Sequence, residues 1–182
     1  MATFNSSSSL IAVDRPELDR LRLELADALD DEGDIDPSWL RERGWIAVPF
    51  EAPIDDEEAE RLARAMVRSG VAQGYVVALE EGLEDFGFRF PVDADAILEA
   101  DAECSMKETA WAPDNGSFLL RGDGDLYFIV AGPEAFLREV IGGPIEEARD
   151  AFDSYAHDPE LASDVRDHLQ EIARSLAGPA AG

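Results

Sequence analysis

"SFLLRGDGDLYFIVAG", residues 117–132, carries the reading of the fold. Two apolar runs flank Arg121-Gly122-Asp123-Gly124-Asp125. On the first run Phe118 and Leu120 alternate with Leu119. On the second, Leu126, Phe128 and Val130 alternate with Tyr127 and Ile129. A hairpin that is apolar on both faces belongs inside a sheet covered on both sides. The glycines supply its corner. In a three-residue loop of Gly122, Asp123 and Gly124, Gly124 takes the left-handed conformation without steric cost, and Arg121 faces Asp125 across the strands. A two-residue Asp123-Gly124 turn would instead pair Arg121 with Leu126.

Immediately upstream, "TAWA" runs into "PDNG" at 113–116, a type I turn followed by a left-handed glycine. That adds a third strand and makes a meander. "WIAVPF" (45–50), "YVVAL" (75–79) and "FGFRF" (86–90) read as further strands, with Pro49 pushing the first of them toward a sheet edge.

Helices fill the intervals. Asp14 and Glu17 have capping-box spacing ahead of Leu18, Leu21, Leu25 and Leu29. Asp36 caps a short helix that holds Pro37, Trp39 and Leu40 and ends at Gly44. Asp55 and Glu58 open a third helix, closed by Gly70, and Asp93 opens a fourth that runs to Cys104. Three more follow the meander: one after Gly132-Pro133, one restarted at Pro144, and one from Asp158-Pro159 that buries Leu161, Val165, Leu169, Ile172 and Leu176.

Helices and strands in this order lack regular βαβ alternation. The expected class is α+β. It comprises an antiparallel sheet of about five or six strands that contains a C-terminal three-stranded meander, packed with helices, with helical N- and C-terminal segments. The expected organisation is a flexible polar tail at 1–12, a single domain at 13–176 and a frayed end at 177–182.

Composition limits function. The chain of 182 residues carries 41 acidic and 15 basic residues, a formal charge of −26. Each of the stretches 1–40, 41–90, 91–130 and 131–182 is net negative, so the acidity coats the folded chain and is not a tail. Nucleic-acid phosphates and anionic membranes would be repelled. Basic protein partners would be attracted. The first residues lack a basic region followed by an apolar stretch, and no apolar run reaches the length of a membrane span. The expected location is cytoplasmic. Cys104 is alone, which rules out an internal disulfide and weakens any thiolate zinc site.

Chemistry is sparse. Arg-Gly-Asp recognition at a cell surface requires export, which the N-terminus does not signal. Asp123 and Asp125 fit no calcium loop, because Gly124 at the sixth place would put Leu119 first. Gly132-Pro133-Glu134 opposes anion binding, since proline lacks an N–H and the glutamate is negative. His157 and His168 have no nucleophile partner of recognisable spacing. No catalytic, metal or cofactor-binding residue is expected.

The leading expectation is a non-catalytic acidic binding module, immunity- or inhibitor-like, that neutralises a basic protein partner. Its contact residues would be Trp39, Trp45 and Trp111, as aromatic anchors, and the acidic run Asp55, Asp56 and Glu57. One alternative is a small enzyme or ligand-binding protein that uses carboxylates and a histidine. Another is a structural or assembly subunit.

Overall fold

A computed structural model describes residues 8–30 and 33–176. The elements are β1 (Ile11–Ala12), α1 (Arg15–Leu25), α2 (Pro37–Arg43), β2 (Ile46–Glu51), α3 (Asp56–Arg68), β3 (Gln73–Ala78), β4 (Gly87–Pro91), α4 (Ala94–Cys104), β5 (Glu108–Pro113), β6 (Leu119–Asp123), β7 (Tyr127–Gly132), α5 (Glu134–Ile141), α6 (Ile145–Ala156) and α7 (Ser163–Leu176). The strands form one antiparallel sheet in the order β1-β4-β3-β5-β6-β7-β2. The class is therefore α+β, with the meander β5-β6-β7 near the middle of the sheet. No helix among the described residues is long and apolar enough to cross a membrane.

Strand alternation sorts the core into two layers. Val76, Phe88, Phe90, Trp111, Leu120, Phe128 and Val130 pack against α3, α4 and α5. Val77, Ala110, Leu119, Tyr127, Ile129 and Ala131 face the opposite way, toward α1, α6 and α7. Helices thus cover both faces, which is why the β6–β7 hairpin is apolar throughout. Each fully buried Leu or Phe contributes about 1.5–3 kcal/mol, so the two layers together hold the sheet.

The helix starts follow local chemistry. Asp14, Asp36, Asp55 and Asp93 each accept a backbone N–H of the first turn, and Asp55 with Glu58 forms a reciprocal capping box.

Four expectations need correction. The sheet has seven strands because Ile11 and Ala12, assigned by sequence to a polar tail, pair with Arg89 and Phe88. The rest of that tail, residues 1–7, and the expected frayed end at 177–182 lie outside the described residues. The hairpin register differs from both sequence alternatives: Asp123 pairs with Tyr127, Arg121 with Ile129, and the loop is Gly124-Asp125-Leu126. Asp125 is drawn out of the strand to accept hydrogen bonds from the Ser105 hydroxyl (2.8 Å) and the Met106 amide (3.3 Å). The last helix begins at Ser163, not at Asp158-Pro159. Asp158 instead makes a turn, its carboxylate accepting from Glu160 N and its carbonyl from Leu161 N. On α7 only Leu169 and Ile172 are buried.

Candidate functional site: the cleft between α1 and α2

Trp39 and Arg43 stand four residues apart on α2, hence on one face of the helix. Gly44 ends α2 in the left-handed region at φ 63°, a conformation that suits glycine. The chain then doubles back: Gly44 N donates to Arg41 O, and Trp45 N to Leu40 O at 2.9 Å. This terminator carries Trp45 onto the face that bears Trp39. The two indoles meet edge to face, with centroids 5.1 Å apart and planes at 85°. The Arg43 guanidinium lies 4.5 Å from the Trp39 ring centre and 5.1 Å from that of Trp45. Both tryptophans are half-buried.

Beneath the indoles is a cavity of about 160 Å³, floored by Leu21, Leu25, Phe118 and Leu119 and rimmed by Asp114 of the "PDNG" turn. Beside it opens an acidic recess of about 430 Å³, lined by Asp27, Asp36, Ser38 and Glu42. Glu24, Trp39 and Arg43 line both spaces, so Arg43 stands at the boundary between them. Glu24 is paired with Arg20 and Asp36 caps α2. Among the described residues, the Asp27 and Glu42 side chains have neither an ion pair nor a hydrogen bond. The cleft therefore joins an aromatic wall, an apolar floor and two uncompensated negative charges. Such a set suits a cation with an apolar stem.

The Arg-Gly-Asp residues form a second cluster. Arg121 is only 4 % exposed although it carries a full charge. Its Nη1 donates to the Tyr127 hydroxyl at 3.1 Å and stands 3.2 Å from Asp123. Glu108 is 3.3 Å from Nη2, and Asp34 is 3.5 Å from Nε. Burial opposes the charge, but the Tyr127 hydroxyl that accepts from it, with Asp123 and Asp34, outweighs burial and holds Arg121 above its ordinary range. Burial also pushes the Tyr127 phenol upward and keeps it neutral; Arg121 works against the shift, and Asp123 and Asp34 add to it. His168 on α7 reaches Asp123 at 3.4 Å. The guanidinium fills the space between the three carboxylates. This is the arrangement of a structural clamp that ties β5, β6, β7 and the segment at Gly33-Asp34 under α7.

Asp123 and Asp125 therefore serve different neighbours and do not converge. Among the described residues, no group of three or more His, Cys, Asp or Glu side chains is placed to hold a metal ion. His157 sits at the exposed end of α6, its Nδ1 2.7 Å from the Asp153 carbonyl. The Cys104 thiol is buried, and burial pushes it up to about 12, far from a reactive thiolate.

Asp101, on α4, lines an open depression with Pro53, Ser105 and Asp125. Burial pushes its carboxyl up to about 6; a hydrogen bond from Ile54 N works against the shift and Asp125 adds to it. The folded chain thus holds this proton more tightly than the unfolded chain, whose aspartates titrate near ~3.9. Stability from this group is full below about pH 4, declines as pH rises toward about 6, and stays low above. Asp101→Asn keeps an acceptor for Ile54 N without the charge. In urea unfolding it should exceed the wild type by about 1 kcal/mol at pH 7.5, after allowance for solvent screening, and match it at pH 4. A difference that does not vary with pH would contradict this account.

Of the contact residues expected from sequence, the structure brings together only Trp39 and Trp45. Trp111 is 2 % exposed, packs edge to face with Phe90, and donates from Nε1 to Thr109. It offers no surface to a partner, because β5 is covered on both faces. Asp55, Asp56 and Glu57 lie on α3, in the opposite helical layer. There Asp55 caps the helix and Glu57 pairs with Arg61. Sequence reading missed Arg43, Asp27 and Glu42. The Trp39/Arg43 spacing together with the Gly44-Trp45 terminator was the available signal for the first; Asp27 and Glu42 had none. No family model, no curated protein and no solved structure matches this chain.

Proposed function

We propose that this chain is a non-catalytic acidic binding module, of the kind that neutralises a basic protein partner, and that the α1–α2 cleft is its point of contact. The observation that carries the reading is the meeting of a half-buried tryptophan pair with the uncompensated carboxylates Asp27 and Glu42 in one recess. Tryptophans set in such a recess are the residues on which binding energy concentrates. The surrounding charge of −26 would speed encounter with a cationic surface and make it sensitive to salt.

The test is affinity capture at about 0.05 M and about 1 M salt, where the screening length falls to about 3 Å. The bait is the wild type or a Trp39→Leu/Trp45→Leu variant shown to be folded by circular dichroism. Basic proteins should be retained by the wild type at low salt, released at high salt, and lost from the variant. Equal retention by both baits, or no basic protein on either, would refute the assignment.

A further inference from the structure

We infer that Arg43 is an internal stand-in for an arginine side chain of the partner, and that the Trp39–Trp45 pair is an arginine-recognition site which Arg43 occupies until it is displaced. This rests on the binding reading above and deepens it.

Four observations converge. The guanidinium of Arg43 lies over Trp39 and against Trp45, so the site already shows which group it accepts. Among the described residues, the Arg43 side chain makes no hydrogen bond and no ion pair, although Glu24, Asp27 and Glu42 line the spaces it borders. The rings alone hold it, which makes it easy to displace. Its side chain is also the boundary between the apolar cavity and the acidic recess, so its departure would join them. Finally, the floor of Leu21, Leu25 and Phe118 suits an aliphatic stem, while Asp27 and Glu42 are unspent acceptors for the forked N–H donors of a second guanidinium.

Arginine is favoured over lysine on the same grounds. A guanidinium is planar and weakly hydrated, stacks on indole, and donates in a fork. An ammonium is a compact, strongly hydrated point charge that loses more on entering such a site.

The test uses tetra-arginine and tetra-lysine peptides of equal charge, titrated against the full chain and followed by calorimetry and indole fluorescence. The Arg43→Ala variant, freed of its internal competitor, should bind tetra-arginine about threefold or more tightly than the wild type. Arg41→Ala removes the same charge from the same helix, but Arg41 bonds to Ser38 and not to the indoles. It should change affinity much less. Trp39→Leu, which keeps apolar bulk but removes the ring face, should lower tetra-arginine affinity about tenfold in either background. Tetra-lysine should bind more weakly than tetra-arginine and respond little to Arg43→Ala.

Equal gains from Arg41→Ala and Arg43→Ala would show a charge effect and overturn the inference. So would equal binding of the two peptides with no dependence on Trp39; the binding-module reading would then survive alone. Failure of both peptides to bind the wild type and Arg43→Ala would remove the inference and the reading together.

Discussion

Arg121→Ala is expected to cost about 3 kcal/mol of folding stability and to lower the melting temperature by about 6–12 °C. Removing one member of a buried ion pair typically costs 3–5 kcal/mol because the other member is left uncompensated. Here the loss falls at the lower end. The Asp34 and Glu108 side chains are 39 % and 43 % exposed and can take up water, whereas Asp123, at 22 %, has less recourse. Arg121→Lys should recover only part of the loss. A lysine carries the charge but cannot serve Tyr127, Asp123, Glu108 and Asp34 together from one planar fork. Hydrogen exchange should quicken first in α7, whose His168 leans on Asp123, and around Gly33 and Asp34, which approach the Arg121 Nε. Equilibrium urea unfolding measures the total. A loss below about 1 kcal/mol would reduce the cluster to ordinary surface pairing.

This cluster also marks the limit of sequence reading. Arg121 was legible as a strand residue and Gly124 as the corner. That the arginine would be buried was not, because its three carboxylates come from the start of β5, the α1–α2 connection and its own strand, and only the folded sheet assembles them. A charged residue that continues the Leu119 face of a strand apolar on both sides was the available warning.

Helix starts were legible for the opposite reason. The donor and acceptor at Asp14/Glu17, Asp55/Glu58 and Asp93/Ala96 are three residues apart, so sequence distance and spatial distance agree. Sheet order depends on contacts between distant segments, as in the pairing of Ile46 with Gly132, and no local rule carries it. The same divide separates the candidate contact residues. Trp39 and Trp45 share a cleft because one helix terminator joins them. Trp111 reads identically as an exposed or a buried aromatic until both faces of β5 are seen to be covered. Asp27 and Glu42 acquire meaning only when the end of α1 and the face of α2 are brought together.

Gly74→Ala should destabilise the chain by about 3 kcal/mol, against every local preference for the substitution. Gly74 does not lie in the left-handed region, so alanine is allowed there by the backbone. Replacing glycine in such a place ordinarily gains about 0.4–1 kcal/mol by restricting the unfolded chain. The obstacle is the neighbouring strand. Phe90 pairs directly with Gly74, and its ring lies over the bare Cα, so that an added Cβ would sit 2.2 Å from Cζ and 2.7 Å from both Cε atoms. The ring cannot simply swing aside, since Phe90 is 2 % exposed and rests edge to face on Trp111, centroids 5.4 Å apart. The methyl must therefore push a packed aromatic pair or part β3 from β4.

The two causes of a loss, clash and backbone, separate in a double-mutant cycle. Phe90→Leu alone removes the ring and leaves a hollow above Gly74. In the Gly74→Ala/Phe90→Leu protein the new methyl fills that hollow. The double variant should be more stable than the sum of the single losses predicts by at least about 1 kcal/mol. Strict additivity in urea unfolding would mean that Phe90 does not occupy the place left by the missing side chain of Gly74.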